Sequence, residues 1–261
     1  AALGIRNQVL DLRREMEAEN LPLLWLPLVC YLRLWLPRAL AGRYDRILYT
    51  DADTYLDTAE LSRLFEADLG PHVLAAVSDK LQWLRPDRPI IDFAELGLPV
   101  GRYLNSGVCL IDVARYNAEG LLARMLEIHR RGTPLAHHDQ SLLNLALEGR
   151  WAELSPVWNW QWANAYPRFT ARATPKIIHF GGPAKPWKAA TVRTSYPAGI
   201  IATYQRFLAE HDLPGQCAPD RPGGRRYGPL WQIANIVEHL WALPAWHKLV
   251  ARHPDPWKTR L

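Results

Sequence analysis

The residues of this chain best suited to chemistry are carboxylates, amides and one histidine placed where apolar runs stop. Asp51 and Asp53 lie two apart in YDRILYTDADTYLD, Tyr44 to Asp57, just after the run Ile47 to Tyr49. In extended backbone, positions i and i+2 point the same way, so both carboxylates would converge while Ala52 points away. Two anions held that close repel unless a cation sits between them, and an oxygen pair of this kind suits Mn²⁺ or Mg²⁺ carried with a diphosphate. A solvated Asp-rich turn is the plainer reading of the same residues. His179 ends another apolar run in KIIHFGGPAKPW, Lys176 to Trp187, and is followed by Gly181, Gly182 and Lys185. A lone histidine is usually structural, but a strand end, a glycine turn and a fixed cation could deliver a metal ligand and a phosphate-binding lysine together.

Amides form a second group. In RYLNSGVCLIDVARY, Arg102 to Tyr116, the residues Asn105, Ser106 and Gly107 precede the apolar run Val108 to Val113. A polar turn feeding a buried strand can place an amide at a pocket floor, or it is an ordinary turn that needs glycine. Asp139 and Gln140 follow His137 and His138 and precede Leu142, Leu143, Leu145 and Leu147. Asp139 reads both as a helix N-cap and as a catalytic carboxylate, and Gln140 in the first turn points to solvent or into a cleft. Trp151, Trp158, Trp160, Trp162 and Tyr166 crowd one stretch. Aromatic rings in a cleft suit the apolar C–H faces of sugars, and core filling is their competing use.

Strands ending at a common rim are needed to bring these groups together. Asn7 to Asn20 reads as a helix, Leu23 to Leu26 as a short buried strand, and Val29 to Leu40 as a helix stopped by Gly42. Ile47 to Tyr49 lacks alternation, which suits a strand buried on both faces of a parallel or mixed sheet. Thr58 with Leu61, Leu64 and Phe65 marks a short capped helix, and Val73 to Val77 another buried strand, ending at Ser78 and Asp79. Leu81 to Val100 is proline-rich without a clean period, as a functional loop or substrate cover would be. Ala114 to Arg131 is an amphipathic helix. Strands alternating with helices argue α/β, and ligand sites in such sheets lie at the carboxyl ends of the strands.

A chain of 261 residues, 49% of them hydrophobic, suits one large domain or one domain with a tail. Of the net charge of +5, most sits in Pro214 to Leu261, which holds seven Lys or Arg against three Asp or Glu. Nucleic acid is not an expected partner, since no helix-turn-helix, RNP-type strand or zinc module is present. Cys30, Cys109 and Cys217 are far apart and lack ligand spacing, which fits a reducing cytoplasm. No signal peptide is read at the start, and the apolar run Leu21 to Leu36 is broken by Pro22, Pro27 and Arg33, so it reads as core. Pro229 to Val250 spaces Leu230, Ile233, Ile236, Val237, Leu240 and Trp241 helically, with Pro244 to kink or end it. This segment rests on the inner membrane face through its apolar and basic residues, or packs on the domain.

Six motifs appear in one order: YLR at Tyr31 to Arg33, YTDAD at Tyr49 to Asp53, SD at Ser78 and Asp79, YLNSGVCLID, HDQSLLN at His138 to Asn144, and HFGGPAKPW. In this the chain resembles the family 8 glycosyltransferases, the group that includes glycogenin and bacterial lipopolysaccharide galactosyltransferases and glucosyltransferases. The resemblance implies a GT-A type nucleotide-diphospho-sugar transferase fold, α/β, with a mixed, mostly parallel sheet flanked by helices. It implies Mn²⁺, with Mg²⁺ as the alternative, on Asp51, Asp53 and His179. Arg33, Lys185, Gly182, Asp51 and Ser106 would contact the donor, and Gln140, Asp139, Asp79 and Asn105 would surround the transferred sugar. The partners implied are a UDP-sugar donor and a glycan or lipid-linked acceptor. Family members open with a strand whose Asp and Tyr hold the base, which nothing before Asn7 supplies, so the fold is expected to be N-terminally incomplete and UDP-sugar binding weak. The expected domains are 1–213, catalytic, and 214–261, a basic Trp-rich extension.

Departure of a nucleoside diphosphate builds negative charge that a divalent ion, Lys185 and Arg33 can stabilise, so no protonating acid is needed. The activity that the resemblance implies is retaining transfer of galactose or glucose from a UDP-sugar onto a surface glycan or similar acceptor. Front-face attack is the expected mechanism, with covalent catalysis by Asp139 competing. The alternative readings are a non-catalytic nucleotide-sugar or glycan-binding remnant, and a membrane-surface scaffold built on the tail.

Overall fold

The apolar runs without alternation become strands whose odd and even residues feed different cores. The computed structural model describes residues 8–21, 28–99, 101–162, 173–182, 185–187, 196, 198–213 and 229–261. In chain order these form helices α1 (Arg13–Glu17) and α2 (Leu32–Ala39), strands β1 (Arg46–Thr50) and β2 (Thr54–Leu56), helix α3 (Leu61–Phe65), strand β3 (Leu74–Ser78) and helix α4 (Ile91–Glu95). Strand β4 (Leu104–Asp112) follows, then α5 (Val113–Ala118), α6 (Leu121–Arg130) and α7 (Asp139–Leu147), the short strands β5 (Ala152–Glu153), β6 (Trp160–Gln161) and β7 (Ile177–His179), and helices α8 (Ala198–Glu210) and α9 (Pro229–Arg252).

One sheet has the order β1-β4-β3-β5 and a smaller one β2-β7-β6. Leu74 and Ala76 of β3, with Cys109 and Ile111 of β4, face a core shared with α2, α5, α6 and α7. Ala75 and Val77, with Val108 and Leu110, face a second core of tryptophans and the small sheet. Both sheets are mixed, as expected, but the described pairings run against "mostly parallel": β1–β4, β3–β4 and β2–β7 are antiparallel, and β3–β5 and β6–β7 parallel.

Several elements differ from the reading of the sequence. The N-terminal helix covers only Arg13–Glu17 of the expected Asn7 to Asn20, and Asn20, at φ 50°, turns the chain out of it. Ile47 to Tyr49 is half-buried rather than buried on both faces, because β1 is the edge strand among the described residues. Gly120, at φ 61°, splits the helix expected over Ala114 to Arg131 in two. The helix after Thr58 has Glu60, not Thr58, at its N-cap position, and the Thr58 hydroxyl instead accepts from the Glu60 N–H. Leu81 to Val100 is not a bare loop, since α4 lies inside it and Asp92 is fully buried there. The strand read at Leu23 to Leu26 lies outside the described residues, as do Tyr166 and Cys217. Cys109 is buried, which pushes its thiol up to about 12 and leaves it chemically quiet.

Trp151, Trp158, Trp160 and Trp162 are core residues rather than a cleft platform, each less than a tenth exposed. Much of what they meet is the end of the chain. Trp160 stacks on Trp246 of α9 at 5.5 Å and 27°, Trp158 meets the edge of Trp257 at 5.0 Å, and the Trp158 indole donates to the Pro256 carbonyl at 2.8 Å. Helix α9 runs through Pro244. Residues after it return to the large sheet, where the Glu153 N–H donates to the Arg260 carbonyl at 2.8 Å and the Arg260 N–H to the Glu153 carbonyl at 2.9 Å.

Glu153 ties that junction through its side chain as well. Its carboxylate accepts from the Ser78 hydroxyl and from Arg260 at 2.9 Å, with His253 at 3.8 Å. Burial opposes its ionisation, but His253, Ser78 and Arg102 outweigh burial and hold it down to about 2. A carboxyl depressed on folding stabilises the fold above its unfolded value and loses that contribution as pH falls, here from about 4.5 toward 2. Glu153→Gln should therefore cost about 2–4 kcal/mol at neutral pH and melt with a flatter acid dependence than the parent. Equal melting temperatures at about pH 7 would contradict this account of the junction.

Candidate functional site

Asp51 and Asp53 do converge, but by a turn rather than by strand alternation. After β1 the chain bends at once: the Thr54 N–H and hydroxyl both donate to the Asp51 carbonyl, at 3.2 and 2.8 Å. Two backbone bonds hold the bend in place. The Asp51 N–H donates to Gly107 of β4 at 2.8 Å, and the Phe180 N–H donates to the Asp53 carbonyl at 2.9 Å. Thr54 pairs with His179 across β2 and β7, so the ring arrives beside the carboxylates. One ligand atom from each of Asp51, Asp53 and His179 lies within 4.8 Å of the others.

Each carboxylate commits one oxygen to the protein and turns the other toward His179. Asp51 Oδ1 accepts from Arg33 at 2.6 Å and from the Tyr49 hydroxyl at 2.8 Å, while its Oδ2 lies 3.7 Å from His179 Nε2. Asp53 Oδ2 contacts the Lys185 ammonium, and its Oδ1 lies 3.3 Å from the same Nε2. Lys185 also donates to the Phe180 carbonyl at 2.6 Å, after a turn in which Gly182 takes φ 87°. Burial opposes ionisation of Asp53, yet hydrogen bonds and charge from His179 and Lys185 hold it down to about 2. Two anionic oxygens and an imidazole nitrogen, each with a lone pair to offer, match the hard and borderline donors that divalent first-row ions take.

Arg33 is the buried counter-charge behind this cluster. Its guanidinium donates to Asp51, to the Ser106 hydroxyl at 2.9 Å and to the Ser106 carbonyl, and its Nε lies 3.0 Å from Asp139 Oδ2. The Tyr49 ring lies beneath it at 4.4 Å. Burial alone would favour the neutral form, but Asp139 and Asp51 outweigh it and keep Arg33 firmly charged. Arg33, expected to contact a donor, directs its N–H groups here to Asp51, Asp139 and Ser106.

The amide residues come together on the other side of Ser106. They do not lie in a turn: Asn105, Ser106 and Gly107 sit within β4, at a bulge where its pairing with β3 skips from Cys109–Ala76 to Asn105–Val77. A bulge re-aims the side chains of a strand, and here it presents both Asn105 and the Ser106 N–H to Gln140. Gln140 Oε1 accepts from that N–H at 3.0 Å and from Asn105 at 3.1 Å, and its Nε2 donates to Asp79 at 3.3 Å. Gln140 therefore points into the cluster, not to solvent. Asp139 is not the N-cap: His138 holds that position at φ 54°, ψ −121°, a conformation non-glycine residues avoid, and Asp139 is the first helical residue. Asp139 is buried, paired with Arg33 and accepting from Ser106 at 3.2 Å.

The residues expected to hold a cation, a donor and a sugar therefore fall in one region, Gly182 by turning the chain toward Lys185. Two contributors were missed. Tyr49 carries the hydroxyl on Asp51, and fully buried Asn159 stands 3.1 Å behind His179 Nδ1. A polar amide between Trp158 and Trp160 was the available signal for Asn159.

Comparison with known proteins gives the family and the fold. The sequence model of the family described as Glycosyl transferase family 8 matches residues 9–191. General stress protein A of Bacillus subtilis (strain 168) is 29% identical over 178 residues, 62% of this chain and 59% of that protein. Lipopolysaccharide 1,3-galactosyltransferase of Salmonella typhimurium is 26% identical over 167 residues, 60% of this chain and 48% of that protein. The chain thus spans about half the length of these relatives. The galactosyltransferase LgtC, solved in complex with donor and acceptor sugar analogs, superposes with a TM-score of 0.54 at 23% identity, over 77% of this chain and 73% of that one. At that identity the likeness establishes the fold, a GT-A type α/β architecture.

Gly107 gives a direct test of how the cluster is assembled, because a methyl group there would overlap the His179 ring. Gly107→Ala and His179→Ala should each weaken Mn²⁺ binding by about tenfold or more, read by electron paramagnetic resonance titration. Unchanged affinity in both variants would remove His179 from the cation site.

Proposed function

This chain belongs to glycosyl transferase family 8, and from that premise we propose that it transfers a hexose, galactose or glucose, from a UDP-sugar to a glycan or lipid-linked acceptor with retention at the anomeric carbon. The observation that carries the reading is the convergence of Asp51, Asp53 and His179 on one point beside the Asp79–Asn105–Gln140 cluster. Those three residues would hold Mn²⁺, or Mg²⁺, which when bound supplies a Lewis acid that offsets charge on the leaving diphosphate. The Lys185 ammonium, beside Asp53, adds positive charge at the same place. Asp79, Asn105 and Gln140 present carboxylate and amide groups that bind and orient a sugar.

The burial of Asp139 bears on mechanism. A double displacement needs a carboxylate with an open face toward the anomeric carbon. Asp139 is buried and paired with Arg33, which favours front-face attack with a donor phosphate oxygen taking the acceptor's proton. Gln140, whose amide is oriented by the Ser106 N–H and by Asp79, would then lie against the oxocarbenium-like sugar. Gln140→Ala should lower kcat by about 10²–10³-fold while changing the donor KM far less, since the charge it meets peaks in the transition state. UDP release from UDP-galactose and UDP-glucose measures this. Unchanged kcat, or a glycosyl adduct on Asp139 seen by intact-protein mass spectrometry, would contradict it.

The acceptor side of the proposal includes contact with a membrane surface. Among the described residues no helix is long and apolar enough to cross a membrane. The N-terminal half of α9, however, exposes Leu230, Ile233, Val237, Leu240 and Trp241 at helical spacing, while Trp246 and Leu249 of the other half are buried. An apolar stripe anchored to the domain at one end suits shallow insertion at a lipid interface. Leu230→Glu combined with Trp241→Glu should abolish flotation with anionic liposomes and leave the fold intact. Equal flotation of this variant and the parent would take α9 out of the proposal.

A further inference from the structure

Asn159 lies outside every motif used above, yet its amide has only one orientation that satisfies its neighbours. It follows the 3₁₀ turn Pro156–Trp158 and immediately precedes β6, fully buried between two tryptophans. Its side chain touches Asn105 on one side and His179 on the other. Amide oxygens and nitrogens are assigned from hydrogen-bond partners, and here backbone donors, which cannot be reversed, decide the assignment.

Gly107 N–H donates at 3.1 Å to the Asn105 atom nearest it, which must therefore be Oδ1. The other Asn105 atom is then Nδ2, and it lies 3.2 Å from the carboxylate of Asp79 and 3.1 Å from Gln140 Oε1, both acceptors. Gln140 Oε1 is identified independently, since it accepts from the Ser106 N–H. The Asn159 atom 2.8 Å from Asn105 Oδ1 has to be a donor, so it is Nδ2. That leaves Asn159 Oδ1 facing His179 Nδ1 at 3.1 Å. An acceptor there requires a proton on Nδ1, so Nε2 is the nitrogen left to meet a cation held by Asp51 and Asp53. The opposite tautomer would set two oxygen and nitrogen lone pairs against each other at a buried contact.

We propose that Asn159 is a positioning residue that sets the tautomer and ring plane of His179 for cation binding, and that through Asn105 it joins the metal side of the site to Asp79 and Gln140. The proposal rests on the reading of Asp51, Asp53 and His179 as cation ligands. Its physical basis is the general behaviour of metal-binding histidines, whose second nitrogen donates to a fixed acceptor that orients the ring. Here the acceptor is a neutral amide whose own direction is set by the Gly107 backbone, four links from the cation. The backbone bulge that aims Asn105 and Gln140 would thereby also determine which nitrogen of His179 is available.

The test combines a spectrum of the unaltered protein with two variants. Long-range ¹H–¹⁵N correlation of the unaltered protein with saturating diamagnetic Mg²⁺ should show His179 protonated on Nδ1, and an Nδ1 without a proton overturns the proposal without any variant. Asn159→Leu should raise the Mn²⁺ dissociation constant by about 10–100-fold and move His179 toward the Nε2–H form. Asn159→Asp keeps an oxygen opposite Nδ1 but sets its other oxygen against Asn105 Oδ1, so it should restore the Nδ1–H tautomer while leaving the affinity about tenfold below the parent. Parental affinity and tautomer in Asn159→Leu overturn the role of Asn159, and when His179→Ala still weakens Mn²⁺ binding the cation site itself stands. Unchanged Mn²⁺ binding in His179→Ala removes the cation reading, and the tautomer spectrum still decides whether Asn159 orients the ring.

Discussion

Carboxylates crowded at the end of one strand repel, and much of this structure is organised around the charges that let them stay there. Asp51, Asp53 and Asp139 gather around Arg33, Lys185 and His179. Arg33 is the most deeply committed of the three, because its planar fork reaches Asp51, Asp139 and Ser106 at once, a geometry that a lysine could not reproduce. Removing one partner from such a buried network leaves another charge unpaired, which is far costlier than losing an exposed pair. The arrangement divides the labour: Arg33 compensates the inner oxygen of Asp51 and Lys185 that of Asp53, and the outer oxygens of both face His179.

The backbone does the rest of the positioning. The bulge in β4 brings the Ser106 N–H and Asn105 to Gln140, and Gly107 leaves room for His179 where any side chain would collide with it. The strained backbone at His138 starts α7 so that Asp139 turns inward to Arg33 and Gln140 toward Asp79. Positive φ at a non-glycine residue costs of order 1–3 kcal/mol and persists where its surroundings hold it. The ring of His138 is fully buried, with the Tyr31 hydroxyl 3.4 Å away.

The convergence of the candidate site's residues was legible in the sequence because they stand where apolar runs end, a pattern set by local composition. Fold class was legible for the same reason: Val73 to Val77 and Val108 to Val113 are too apolar for a half-exposed strand, and each side of the sheet carries a core. What escaped depends on partners distant in the chain. The bulge at Asn105 to Gly107 exists only in the pairing of β4 with β3, so the segment read as a turn. The half-burial of β1 reflects its place at the sheet edge among the described residues, which its own residues do not encode. The tryptophans of Trp151 to Trp162 left a sugar platform and core filling both open, because partners that decide for the core, Trp246 on Trp160 and Trp257 on Trp158, come from the end of the chain. Asp139 satisfied the composition rule for an N-cap but is drawn inward by Arg33, which lies more than a hundred residues earlier.

The central claim is that Asp51, Asp53 and His179 bind one divalent cation together with a nucleoside diphosphate. Anomalous diffraction at the manganese edge, from crystals soaked with Mn²⁺ and UDP, tests it most directly. The account predicts a single peak about 2.0–2.3 Å from one oxygen of each carboxylate and from His179 Nε2, with a diphosphate oxygen completing the set. A peak bound elsewhere, or UDP bound with no manganese at these three residues, would contradict it.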